Sequence, residues 1–291
     1  MKVLITGSNG QLGSEIRELA SDYENLECIF KDLPELDICD TDALNTFIID
    51  QHINVVINCA AYTAVDKAEE EALIAKKVNS KGVLNLANAL KKVDGKLIHI
   101  STDYVFDGNH SQPYKESDPV SPVGVYGETK RAGELAVLNS SIDAIVIRTS
   151  WLYSGYGNNF LKTMLRLGNE KKSIQVVFDQ KGTPTFANNL AKTCLDILSD
   201  ASSTEISKKG SLYHYSNEGV TSWYDFASAI MEISNIDCKV IPIETKDYPT
   251  QARRPLYSVL DKSKIKSDFK AIIPHWRDSL ANCIKKINHN S

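Results

Sequence analysis

Residues 2–15 read KVLITGSNGQLGSE, and this stretch decides the fold. A short aliphatic run (2–6) stops at Gly7, and Gly10 and Gly13 come at intervals of three before a helical pattern begins. Each glycine answers a physical need. Gly7 permits a tight turn, Gly10 lets a pyrophosphate approach the backbone, and Gly13 allows close helix–strand packing. The N–H groups of Gly10, Gln11 and Leu12 would then face the phosphates from a helix N-terminus. The same pattern also makes a plain strand–helix turn. Here it comes after a strand and precedes a helix, which is the context a dinucleotide-binding loop requires.

Outward from that loop, strands and helices alternate. The runs KVLIT (2–6), LECIF (26–30), NVVIN (54–58), KLIHIS (96–101) and DAIVIR (143–148) are nearly continuous in Val, Ile and Leu, as strands buried on both faces are. Helical patterns fall near 12–20, 42–51, 66–76, 80–92 and 125–139, with Asp42 or Thr41 placed to cap the second and Ser80 the fourth. This alternation predicts an α/β fold, a doubly wound parallel (Rossmann-type) sheet with helices on both faces. Beyond residue 150 the pattern is less regular. SIQVVF (173–178) reads as a strand rejoining the main sheet. GSLYHYS (210–216) and KVIPIE (239–244) read as strands of a smaller lobe, and 186–198 and 222–234 as helices. SDASSTEISKKG (199–210) reads as a surface loop. The expected organisation is a dinucleotide-binding domain over 1–150, joined by about 173–200, and a smaller C-terminal substrate-binding lobe over 151–172 and 201–291.

Composition sets bounds on function. The 291 residues are 42% apolar and 24% charged with a formal net charge of −4, and charges of both signs are interspersed. That is an ordinary soluble globular balance and disfavours nucleic-acid binding through a broad basic field. No apolar run approaches the roughly 20 residues that span a bilayer, and MKVLITGSNG lacks the features of a signal peptide. The six cysteines are far apart with no C-x-x-C, so neither a disulfide framework nor a zinc site is expected, and a cytoplasmic location is.

An open α/β sheet binds ligands beyond the carboxyl ends of its strands, and the unusual residues lie there. The second strand ends IFKDL: Lys31 suits a 2′-phosphate and Asp32 a ribose hydroxyl, so NADPH is favoured and NADH stays open. Asp37 and Ile38 fall beside the adenine. Ala60 and Ala61 are small enough for a backbone that passes close to a cofactor. Ser101, Thr102 and Asp103 end the fourth run, where a hydroxyl can meet a substrate oxygen or merely brace a local turn. Tyr126 and Lys130 stand four apart, on one helical face. With 12 tyrosines and 26 lysines in 291 residues, about one such spacing arises by chance. As a device, the pair is a proton donor with an ammonium that lowers its pKa.

The motifs TGSNGQLG, NCAAYT, STDYVF and YGETK, in this order, are similar to those of the extended short-chain dehydrogenase/reductase family. The segments NCAAYTAVDKAE, RTSWLYSGYGNNF, DQKGTPT and ARRPLYSVL carry the resemblance from residue 7 to about 260, toward members acting on nucleotide-linked keto sugars. It implies reduction of the C4 keto group of dTDP-4-dehydro-β-L-rhamnose by NADPH, by a monomer or homodimer. Tyr126 would be the general acid, Lys130 would tune it and hold the ribose, and Thr102 would hydrogen-bond the same oxygen. Asp103 and Trp151 would touch the sugar and Arg254 the diphosphate. Gly10, Gln11, Leu12, Asp37, Ile38, Ala61, Tyr62 and Thr63 would line the cofactor. Some relatives dimerise through a magnesium ion held by glutamates. This chain has Glu15 but places Asn188 where another glutamate would stand, so no metal is expected. Two other functions remain compatible with the resemblance. One is an epimerase or a reductase of another keto-sugar nucleotide. The other is an NADP-binding regulatory subunit like that of methionine adenosyltransferase.

Overall fold

A computed structural model of the chain describes residues 1–199 and 210–289. Its strands are β1 (Lys2–Thr6), β2 (Glu27–Lys31), β3 (Val55–Asn58), β4 (Lys96–Thr102), β5 (Ala144–Thr149), β6 (Leu152–Tyr153), β7 (Ser173–Val177), β8 (Lys181–Gly182), β9 (Thr185–Phe186), β10 (Ser211–His214), β11 (Thr221–Ser222) and β12 (Lys239–Ile243). Its α-helices are α1 (Gln11–Leu19), α2 (Thr41–Asp50), α3 (Val65–Ala68), α4 (Ala72–Lys76), α5 (Val83–Lys91), α6 (Val125–Leu138), α7 (Phe160–Glu170), α8 (Ala187–Ser199), α9 (Trp223–Ile233), α10 (Ser263–Phe269) and α11 (Trp276–His289).

Among the described residues the main sheet runs β10-β5-β4-β3-β1-β2, and every pairing in it is parallel. Side chains alternate across its faces, as the two-residue period of a strand requires. Val3 and Ile5 pack with Ile16 of α1, Leu190 and Leu195 of α8 and Ile265 of α10. Leu4 and Val56 face the other way, onto Leu44 of α2, Leu86 of α5 and Val137 of α6. These side chains are fully buried, and each such Leu, Ile or Val contributes about 1.5–3 kcal/mol. The doubly wound parallel fold expected from the sequence is therefore what the chain adopts. The strand order reverses between β1 and β3, and the crevice of such a sheet opens there. A third cluster gathers α7, α9 and α11 around Phe226, Ile230 and Leu280.

Two strand assignments change places. β7, expected to rejoin the main sheet, pairs instead with β12. β10, expected in the smaller lobe, pairs with β5 and forms the sheet's edge. β7 alternates exposed and buried residues, the signature of a small sheet covered on one face, and not of a strand covered on both. The pattern at 66–76 is not one helix but α3 and α4, and a π-helical stretch (Lys77–Gly82) then precedes α5, so Ser80 lies inside a turn and caps nothing. The cap of α2 is Asp40, whose carboxylate accepts from the N–H groups of Asp42 and Ala43. Most of the loop expected at 199–210 lies outside the described residues.

Candidate active site

A cleft of about 880 Å³ opens at the carboxyl ends of the central strands. One wall is the glycine turn. Gly7 has φ +63°, and a Cβ on it would stand 2.5 Å from the Ala60 amide nitrogen at the end of β3. A Cβ on Gly13 would meet the Ser8 Cα at 2.5 Å, which lets α1 start tight against the turn. The first turn of α1 has no side-chain cap, so its N–H groups are left to the cleft.

Of the expected cofactor residues, Gly7, Gly10, Gln11, Leu12, Asp37, Ile38, Ala60, Ala61, Tyr62, Thr63, Tyr126 and Lys130 line this cleft. Gly13 lies behind the turn. Lys31 does not line it either: its ammonium pairs with Glu35 at 2.8 Å and lies over the Phe47 ring. The neighbouring Asp32 faces the cleft instead, taking the Asn9 N–H at 2.8 Å. Successive strand residues point to opposite sides, so only one of the pair can face the ligand.

The opposite wall is α6 with the end of β4. The amide of Val125, in the first turn of α6, donates to Glu69 just beyond α3 at 3.0 Å, an acidic cap brought from outside the helix. Tyr126 and Lys130 come next, on one face. The Lys130 ammonium donates to the carbonyl of Ile100 at 2.6 Å. The Thr102 hydroxyl lies within hydrogen-bonding reach of Tyr126, accepts from the Tyr104 amide at 3.2 Å and donates to Asp103 at 3.1 Å. Tyr104 packs edge-on against Tyr126, with ring centroids 5.4 Å apart. Burial pushes the Tyr126 hydroxyl up to about 12, with Thr102 opposing and the Asp103 charge adding to it. This reverses the expectation that Lys130 lowers it, because the ammonium is turned to Ile100. Burial also pulls Lys130 down to about 8, against the nearby charge of Glu134. At neutral pH the arrangement is a protonated phenol beside a hydroxyl, able to donate to one oxygen placed between them.

Asp103 is buried, and burial pushes its carboxyl up to about 7. A carboxyl whose folded pKa is raised keeps its proton in the folded chain after the unfolded chain has lost it. Stability is therefore lost as pH rises from about 4 to about 7. Asp103→Asn should accordingly melt higher than the parent at pH 8, by roughly 2 kcal/mol or about 5 °C, with the gain shrinking toward pH 5. Thermal melts across that range measure it.

Trp151 also lines the cleft and holds φ +48°, a costly backbone for a bulky residue. It is fixed there by stacking on Trp223 at 3.6 Å and by Gly182, where a Cβ would overlap its ring. Arg254 does not line the cleft: its guanidinium forks onto Asp66, with contacts of 3.1 and 2.7 Å. Asn159 was not singled out from the sequence. It caps α7 and ties that loop to Gln11 at 3.0 Å. An Asn just before a helical pattern is the signal that would have found it. Asn188 donates its amide to the buried Glu15 carboxylate at 3.0 Å, and Lys286 brings its ammonium to the same group at 2.6 Å.

The family described as RmlD substrate binding domain matches residues 1–289. A dTDP-4-dehydrorhamnose reductase of Aggregatibacter actinomycetemcomitans is 42% identical over 97% of each chain. The chain belongs to the dTDP-4-dehydrorhamnose reductase family. The solved structure of a reductase of this name from Clostridium acetobutylicum superposes with a TM-score of 0.93 at 42% identity, covering 99% of this chain and 100% of that one. The reductase of Bacillus anthracis, solved in complex with NADP, gives a TM-score of 0.91 at 36% identity, covering 98% of this chain and 99% of that one. As a member of the reductase family, this chain joins a glycine-turn wall and a tyrosine–lysine wall in one cleft, and no helix among its described residues is long and apolar enough to cross a membrane.

Proposed function

We propose that the protein reduces the C4 keto group of dTDP-4-dehydro-β-L-rhamnose with NADPH, giving dTDP-L-rhamnose. The observation that carries this reading is the meeting of the Tyr126 and Thr102 hydroxyls in the cleft that begins at the glycine turn. The choice of sugar and cofactor rests on the names of the relatives, including the NADP complex.

The cleft suits a dinucleotide. Gly7 and Gly13 let the turn close tightly on β3 and on the start of α1, and the uncapped start of α1 offers N–H donors to a pyrophosphate. Gly10, Gln11, Leu12, Asp37, Ile38 and the loop from Ala60 to Thr63 would hold it, with Lys130 reaching the ribose. NADPH, when bound, supplies the hydride. The protein holds the sugar's carbonyl oxygen between Thr102 and Tyr126, and Tyr126 Oη gives its proton to that oxygen as the C4–H bond forms. Asp103 and Trp151 bound the sugar, and Arg254 takes the diphosphate through a guanidinium that Asp66 already orients. Asp32 leaves NADH acceptable, since its carboxylate suits a ribose hydroxyl.

The direct test is to mix the purified protein with the keto-sugar nucleotide and NADPH or NADH, tracking absorbance at the cofactor band and identifying the product. Failure to oxidise either cofactor, or recovery of an epimerised keto sugar with none consumed, would sink the reading. Arg254→Lys should raise KM for the sugar nucleotide roughly tenfold while leaving kcat within about threefold, because an ammonium cannot grip a diphosphate and Asp66 as a fork does. An unchanged KM would remove Arg254 from the site.

A further inference from the structure

The most deeply buried ion pair near the cleft joins Glu134 of α6 to Arg148 of β5, at 0% and 1% side-chain exposure. All four acceptor positions of the carboxylate are filled. Oε1 receives Ser101 Oγ at 2.6 Å and Arg148 Nε at 2.7 Å. Oε2 receives Arg148 Nη2 at 2.8 Å and Arg131 Nη1 at 2.7 Å. Ser101 and Arg148 are register partners across β4 and β5. One carboxylate therefore fastens a helix to two neighbouring strands.

The placement of this knot matters more than its strength. Tyr126, Lys130 and Glu134 form one stripe of α6, each a turn beyond the last. They meet three successive residues of β4: Lys130 the carbonyl of Ile100, Glu134 the hydroxyl of Ser101, and Tyr126 the hydroxyl of Thr102. We propose that Glu134 is a positioning residue for the reaction, locking α6 in register with β4 so that Lys130 and Tyr126 face the end of that strand. This rests on the reductase reading for what Tyr126 and Lys130 do.

The charge of Glu134 acts as well as its shape. Arg148 leads in holding this carboxyl below its ordinary range against the effect of burial, so it stays ionised. It lies one turn from the ammonium of Lys130, which burial tends to discharge. The other groups facing Lys130 are the Cys59 thiol and the buried His99 on β4, and beyond Arg148 stands His214 at 3.4 Å. Burial keeps Tyr126 protonated across the working range.

The test compares Glu134→Gln with the double variant Glu134→Gln/Arg148→Met, which also removes the stranded guanidinium. Lys130 is titrated by NMR of 13Cε-lysine-labelled protein, assigned with Lys130→Met, alongside kcat and melting temperature. In Glu134→Gln Lys130 should lose its proton at least about one pH unit lower than in the parent, and in the double variant by a smaller but measurable step, since the opposing Arg148 charge goes too. At pH 8, kcat should be about tenfold lower, with KM for the sugar nucleotide within twofold. The double variant should regain melting temperature, since a buried pair can be replaced by apolar groups, yet keep the low kcat. If Glu134→Gln does not fold, the double variant carries the measurement. An unmoved Lys130 titration, or kcat returning together with melting temperature, would overturn the proposal. Absent turnover in the parent would instead count against the reductase reading, while the Lys130 titration would still decide the role of Glu134.

Discussion

Tyr126→Phe should lower kcat by about 10²- to 10⁴-fold, the range expected when a positioned general acid is removed. The substitution deletes one oxygen from a ring held edge-on by Tyr104, so packing survives. Lys130 keeps its contact with the Ile100 carbonyl, so NADPH binding measured by fluorescence should stay within about twofold of the parent. Residual turnover would come from Thr102 and from the positioning of sugar and cofactor. The raised pKa of Tyr126 keeps the acid loaded near neutrality, so parental activity should fall on the alkaline side as Lys130 discharges near 8, long before the phenol ionises. Tyr126→Phe turning over at the parental rate would reduce the tyrosine–lysine pair to a helix surface.

Gly7→Ala is expected to be the most damaging small change in the cofactor wall. An added Cβ faces two separate penalties: a left-handed φ of +63°, and backbone atoms of Cys59 and Ala60 within 2.5–2.7 Å. Backbone cannot swing aside as a side chain can, so relief requires β1 and β3 to part. The expected loss is about 2–5 kcal/mol of stability, with NADPH affinity reduced at least tenfold in whatever remains folded. Thermal melts and cofactor titration measure the two effects separately. An unchanged melting temperature would mean that the turn has more slack than its contacts imply.

Much of the first half was legible because its strands write their burial locally. Runs such as VVI and AIVI can only be covered on both faces, and glycines at intervals of three after such a run fit a tight turn into a helix packed close to the strand. The meeting of Tyr126, Lys130 and Thr102 in one cleft was legible for a related reason: Tyr126 and Lys130 are bound by helical spacing, and Thr102 by its place at a strand's end. The features that stayed hidden depend on partners distant in the chain. The pattern at 66–76 breaks because its acids work elsewhere: Asp66 holds Arg254, Glu69 caps α6 and Glu71 meets Tyr62. Lys31 and Asp32 could not be separated without knowing which side of β2 faces the crevice. β7 and β10 exchange places because a short strand does not state its neighbour, and the Asp66 partner of Arg254 lies 188 residues away in the chain.

The return of the chain at β10 has a consequence for biosynthesis. β5 is complete at Thr149, with all six of its residues buried in the finished protein, yet its outer edge is closed only by residues 211–214. Through the intervening synthesis that edge is an open template for any extended segment nearby. The sheet's last strand is added only once the chain has passed through β6–β9, α7 and α8.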